Sequence, residues 1–268
     1  MIDFKRCYPD ANNFSSLIHL KKIGDWRAEY VKLEKNIGYW IVENPFIDDS
    51  FELFKNVIGA FPIQKNNSLS SSIQPNPFDT IHVPEWVHKD LCLSVRDFYV
   101  DTTKRMDIID PQVHEWGNLY FKDTVKPISC WRIPHIDYAF GMVANLWFTD
   151  HDINDSCTKI YKYHGHIEDL VYDFQIDTSH KMHEEWKHLS ENAVKSDEWF
   201  NADDKELSRW GFEYLGSAPT KEKTLTMYMS NICHTPFISK NVNFRWSHTF
   251  AFSHLIGQQI NLLDFFRK

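Results

Sequence analysis

Apolar positions change their period along this chain. Over residues 85–103 they fall at Trp86, Leu91, Leu93, Val95, Phe98 and Tyr99, the spacing of an amphipathic helix lying on a sheet. Residues 26–35 carry Leu, Val and Tyr at mixed helical spacing, and residues 38–42 read as a short strand. After residue 116 the pattern shortens to β-rich runs at 117–121, 129–134, 141–148, 158–163, 225–232 and 244–252. Turn-forming clusters such as Asp150-His151-Asp152-Ile153-Asn154-Asp155 separate them. Several short antiparallel strands at this spacing predict a jelly-roll barrel.

Between residues 166 and 219 the strand pattern gives way to charged sequence carrying Met182, Trp186, Leu189, Val194, Trp199, Leu207 and Trp210. That stretch predicts a helical insertion between two barrel strands, placed to act as a lid or substrate wall. Residues 66–76 are rich in Ser and Asn without an apolar face, and predict a surface loop. The expectation is one domain, mainly β with α. Residues 1–115 form an α/β support with N-terminal helices, 116–165 and 220–256 form the jelly-roll core, and 166–219 form the insertion.

Composition narrows the function classes. With 268 residues, 43% of them hydrophobic and 15% aromatic, one large core is easily supplied. A net charge of −8 argues against general affinity for nucleic-acid backbones, though a nucleotide held in a local pocket stays open. The five cysteines are odd in number, widely spaced and include no CxxC, which favours a reducing cytoplasm over a disulfide framework or zinc ribbon. No secretory leader and no apolar run near the roughly 20 residues of a membrane span are visible, so a soluble cytoplasmic protein is expected.

The candidate chemistry begins at His135-Ile136-Asp137, which follows the strand-like Cys130-Trp131-Arg132-Ile133 and Pro134. On a strand, residues i and i+2 share a face; on a helix they lie about 200° apart. His135 and Asp137 can therefore chelate one ion from a strand. His88-Lys89-Asp90 has the same spacing but lies in the helical stretch 85–103, where its side chains diverge, and is assigned to a solvated face. His166-Ile167-Glu168 and His183-Glu184-Glu185 are weaker for the same reason; His183 and His188 are five apart and do not share a helix face, and no HExxH occurs.

With fourteen histidines in the chain, His-x-Asp alone arises by chance. His234 strengthens it, at the end of the apolar run 225–232 and so able to approach the first histidine across a barrel. Two imidazoles and one carboxylate make the face that holds non-haem Fe(II) with positions left open. The bland alternative is a satisfied buried histidine. Arg245 and Ser247 share one face of the run 244–252. A guanidinium turned into a barrel needs an anion, and its planar fork suits a carboxylate, either a ligand's or a structural Asp or Glu.

These residues together resemble the Fe(II)/2-oxoglutarate-dependent dioxygenase superfamily, whose pattern is His-x-Asp/Glu, a distal His and then Arg-x-Ser. Here the pattern is His135-x-Asp137, His234 and, eleven positions on, Arg245-x-Ser247. Thr226-Met227-Tyr228 leading to His234 is similar to the strand that carries the distal histidine. Cys157-Thr158-Lys159-Ile160-Tyr161 stands where many prolyl-hydroxylase-like members have Gly-Gly-Thr and an aromatic, with Ser156-Cys157 in place of the glycines.

The resemblance implies a double-stranded β-helix, iron on His135, Asp137 and His234, and 2-oxoglutarate anchored by Arg245 and Ser247. It also implies O2 as co-substrate, with succinate and CO2 released. Asp137 implies hydroxylation or a related oxidation over halogenation. If the face bearing Asn145 and Trp147 points inward, Asn145 could bond the keto acid and Trp147 could line its pocket, with Tyr161 and Tyr228 as further carboxylate donors; ordinary barrel core is the alternative for each. A small molecule or amino acid is the expected substrate, a peptidyl side chain the rival, and a non-catalytic cupin-like barrel binding metal or sugar the reading from another class.

Overall fold

The computed structural model describes residues 18–64, 79–103, 113–121, 134–137, 140–165, 204–229, 232–239 and 241–253. The strands are β1 (Arg27–Lys32), β2 (Gly38–Glu43), β3 (Ile63–Gln64), β4 (Asp79–Ile81), β5 (Val113–Phe121), β6 (Phe140–Trp147), β7 (Ser156–Tyr163), β8 (Phe212–Pro219), β9 (Thr224–Met229), β10 (Cys233–Ile238) and β11 (Phe244–Ser253). The helices are α1 (Ser50–Gly59), α2 (Glu85–Thr103) and the short α3 (Asp204–Arg209).

Two antiparallel sheets result. The larger runs β1-β2-β9-β6-β11-β5-β4-β3 and the smaller β10-β7-β8. An isolated bridge between His135 and His234 adds a fourth short segment at the β10 edge of the smaller sheet. From β5 onward the chain alternates between sheets in the manner of a jelly roll: β6 lies in the larger, β7 and β8 in the smaller, β9 in the larger, β10 in the smaller and β11 in the larger. The N-terminal region supplies α1 and α2, and also lengthens the larger sheet at both edges, with β1 and β2 beyond β9 and β4 and β3 beyond β5.

The two faces of the larger sheet differ in chemistry because side chains alternate along a strand. One face presents Met142, Ala144, Leu146 and Phe148 from β6 and its exit, Leu225 and Met227 from β9, and Trp246, Phe250 and Phe252 from β11. Against it pack Phe51, Phe54, Val57 and Ile58 of α1 and Val87, Leu91, Val95 and Phe98 of α2. Spacing of three and four residues puts each set on one helix face. The face turned toward the smaller sheet is polar: Asn145, Thr226, Arg245, Ser247 and Thr249 are all buried there beside Trp147 and Tyr228. Val143, Tyr228 and Ala251 meet Ile160 and Ala218 of the smaller sheet.

Three expectations change. Residues 27–32 form a strand rather than a helix, because β2 offers a full antiparallel ladder to an edge segment whose side chains are mostly exposed. Of the expected helical insertion, residues 166–203 lie outside the described residues; Asp204–Arg209 is helical, but Phe212–Pro219 is a strand paired along β7. Its buried ends, Phe212 and Ala218, bracket a partly exposed middle, which masks the period-two signal. His88 does not face solvent: it is 3% exposed and contacts Cys92, while Lys89 and Asp90 point out. The side chains of His88 and Asp90 thus diverge, as helical geometry requires. The expected loop at 66–76 and the histidine groups at 166 and 180–188 lie outside the described residues. Among the described residues no helix is long and apolar enough to cross a membrane.

Candidate metal centre

His135, Ile136 and Asp137 alternate as an extended segment must. Ile136 is buried at 4% while the two polar side chains turn together to the other side. His234 is the second residue of β10, not the last residue of the preceding strand, and its backbone is bound directly to that of His135. Each amide donates to the other's carbonyl at 2.9 Å. The two imidazoles therefore leave adjacent backbone positions, with ring centroids 4.7 Å apart.

Asp137 completes the triangle. Its Oδ1 lies 3.7 Å from His135 Nε2 and its Oδ2 lies 3.4 Å from His234 Nε2. One ligand atom from each of the three residues falls within 4.8 Å of the others. These separations exceed hydrogen-bond length and approach the roughly 3 Å between neighbouring ligands that each stand about 2.1 Å from a metal. Among the described residues, no other set of three His, Cys, Asp or Glu residues is so arranged. His234 Nδ1 is 2.9 Å from the Ile232 carbonyl. Donation to that oxygen assigns the proton to Nδ1 and leaves the Nε2 lone pair toward Asp137, the outer-sphere bond that orients a metal-binding imidazole. Two neutral nitrogens and one carboxylate on one side of an ion fit a divalent transition metal with open positions.

The polar interior face of the larger sheet begins beside this triangle. Tyr228 packs on His234 with ring centroids 4.7 Å apart. Its hydroxyl accepts from Asn145 Nδ2 at 3.4 Å, and Thr249 Oγ1 donates to Asn145 Oδ1 at 2.7 Å. Trp147 gives its indole N–H to Thr226 Oγ1 at 3.0 Å, and the Arg245 guanidinium lies 4.7 Å above its ring. Arg245 is 4% exposed. Burial pushes its pKa down to about 10, against the opposing influence of Cys157 and Tyr228, so it is still a cation at neutral pH. Ser247 is buried two residues along the same face.

Asn145 and Trp147 thus face inward, and Arg245 and Ser247 share the interior, as the alternation predicts. Tyr161 differs from its expected role as a keto-acid donor. Its hydroxyl donates to Asp204 Oδ1 at 2.9 Å, alongside Lys159 Nζ at 3.0 and 3.1 Å from the same carboxylate. Burial, then the Asp204 charge, raises the phenol's pKa far above its ordinary value, which fixes it as a donor within the fold. Thr249 carries no motif that the sequence reading could single out, although it keeps the period-two phase of Ser247, and Thr226 stands out there only as part of the strand leading to His234. His151, beside Arg245, left no periodic trace because it lies in a loop.

No family profile and no curated protein matches the chain. Solved structures do. The chain is similar to HygX from Streptomyces hygroscopicus, solved with nickel and 2-oxoglutarate bound, at 10% identity over 81% of this chain and 83% of that one, with a TM-score of 0.47. It is similar to SnoK, a non-haem α-ketoglutarate-dependent carbocyclase of nogalamycin biosynthesis, at 10% identity over 84% and 85% of the two chains, with a TM-score of 0.47. A prolyl-4-hydroxylase from Pseudomonas putida matches at 8% identity over 91% of this chain and 98% of that one, with a TM-score of 0.40.

Proposed function

We propose that this chain is an Fe(II)- and 2-oxoglutarate-dependent oxygenase that hydroxylates an unactivated C–H bond of a small molecule or amino acid. One observation carries the reading: His135, Asp137 and His234, 97 or more residues apart in two groups, bring three ligand atoms within 4.8 Å. The strand order supports a double-stranded β-helix as the frame, with β9-β6-β11-β5 as one sheet and the His135 segment followed by β10, β7 and β8 as the other.

In this reading His135, Asp137 and His234 hold the iron, and the keto acid's distal carboxylate rests on Arg245 and Ser247. The bound pair would supply the oxidising chemistry, in which O2 and 2-oxoglutarate give succinate and CO2 as one oxygen atom enters the substrate C–H bond.

The chain's own residues do the rest. The Ile232 carbonyl holds His234 in the ligating tautomer. Trp147 covers one face of the guanidinium and fixes where its fork points. Thr249 and Asn145 orient the Tyr228 hydroxyl next to the ligating imidazole. The aromatic walls and Ile160 exclude water from the interior, which strengthens every charge interaction inside it. The buried free thiols Cys92, Cys157 and Cys233 support a reducing, cytoplasmic setting.

Anaerobic addition of Fe(II) and then 2-oxoglutarate is expected to raise a visible charge-transfer band, and aerobic turnover to release succinate. Failure of both in refolded, metal-reconstituted protein would refute the assignment. Retention of the band without any succinate would leave a binding-only barrel instead.

A further inference from the structure

The loop leaving β6 runs back along the start of β11. The Phe148 amide donates to the Trp246 carbonyl at 3.0 Å, the Trp246 amide donates to Thr149 Oγ1 at 3.2 Å, and the His151 amide donates to the Thr220 carbonyl at 3.0 Å. These bonds hold the half-buried His151 against the start of β11, at Phe244, one residue from Arg245. The ring shares a hydrogen bond with the Phe244 backbone and feels the Arg245 charge. Its Nε2 is sealed from solvent and, among the described residues, has no hydrogen-bond partner.

Among the described residues, three charged side chains act on the ring. Asp150 and Asp155 act from its own loop and Arg245 from β11; behind Arg245 stand Cys157 of β7 and Tyr228 of β9. The Asp155 carboxylate is already taken by Ser239 Oγ at 2.6 Å and Asn241 Nδ2 at 3.1 Å. Burial and the guanidinium outweigh the Phe244 hydrogen bond and the two acids and hold the imidazole below its ordinary value, hence neutral at pH 7.

We propose that His151 is a proton-linked partner of Arg245 in the carboxylate subsite, taking up a proton when the distal carboxylate of a dicarboxylic keto acid settles there and releasing it when the acid leaves. This rests on the reading of Arg245 as the keto-acid anchor. An arriving carboxylate cancels the guanidinium charge at the imidazole, and so removes one of the two influences that keep the ring neutral. The only bond that forms is the second imidazole N–H, its proton drawn from bulk solvent and returned there when the acid leaves. The linkage favours dicarboxylic over monocarboxylic keto acids, because only a distal anion draws the proton in.

The test is calorimetric titration of 2-oxoglutarate into Ni(II)-saturated protein near pH 6.5, in buffers of differing ionisation enthalpy. Net proton uptake is expected for the wild type. Its Kd should weaken by about three- to tenfold between pH 6 and pH 7.5. His151→Gln and His151→Asn should bind without uptake and with a flat pH profile, and 2-oxopentanoate, which lacks the distal carboxylate, should show no uptake with any variant. Equal uptake by the wild type and both variants overturns the proposal while leaving the anchor intact. Absence of 2-oxoglutarate binding at every pH refutes the anchor itself, and the proposal with it.

Discussion

His135 and His234 are joined through their backbones before any ion joins them through their rings: two amide–carbonyl bonds of 2.9 Å fix one to the other. The ligand pair is preorganised by main chain, so its side chains can change without dismantling the frame. His135→Ala, His234→Ala and Asp137→Ala should each weaken Ni(II) or Fe(II) binding by more than about a hundredfold. The melting temperature of the metal-free protein should move little, while the rise in melting temperature on adding metal disappears. Differential scanning fluorimetry with and without metal checks both halves.

Arg245 is almost fully enclosed against Trp147, and holding its charge out of water carries a desolvation cost that an apolar side chain of similar volume does not. Arg245→Met should leave the apo unfolding midpoint unchanged or raised and Ni(II) affinity intact. It should weaken 2-oxoglutarate by about 2–5 kcal/mol, the cost of removing one member of a buried charge pair. Arg245→Lys should recover only part of this, since an ammonium lacks the fork.

His151 makes the apo protein acid-sensitive. Its native pKa lies below the ordinary 6.5, so between those two values the unfolded chain holds a proton that the folded chain lacks. Stability therefore stays whole above the unfolded value and declines as pH falls beneath it. The urea midpoint of the wild type should drop further between about pH 7.5 and about pH 5.5 than that of His151→Gln. Parallel curves for the two proteins would exclude the effect.

Asp204 ties α3 to the smaller sheet through Lys159 and Tyr161. Its side chain is 39% exposed, so solvent screens the ion pair. Asp204→Asn should cost only about 0.5–1.5 kcal/mol. Proteolytic cleavage near residues 204–209 should increase, while metal binding is unchanged.

The sequence disclosed what repeats with a clear period and what chemistry selects. Strands β6, β7, β9 and β11 were legible as short β-rich runs bounded by turn residues, and helix α2 because its apolar positions repeat at helical spacing. His135, Asp137 and His234 were legible because His-x-Asp chelates only from an extended segment. The strand at 27–32 was not, since its exposed side chains carry no alternation and only its ladder to β2 defines it. Neither was β8, whose half-exposed centre hides the period. Tyr161 misled for a different reason: a phenol on a core strand looks like a ligand's donor until Asp204, far along the chain, is seen to accept its hydrogen bond. His88 misled because a histidine beside Lys89 and Asp90 suggests solvent, whereas helical phase turns it into the core.

The odd–even division of β6, β9 and β11 bears on how such a protein can diverge. Phe148, Leu146, Met227 and Phe250 belong to the packing that keeps the chain folded, while their immediate neighbours Trp147, Asn145, Tyr228 and Thr249 form the polar inner face. Mutational drift can thus rewrite one register of each strand while selection for foldability acts on the other, so the chemistry of the inner face can change by single exchanges that leave the scaffold standing.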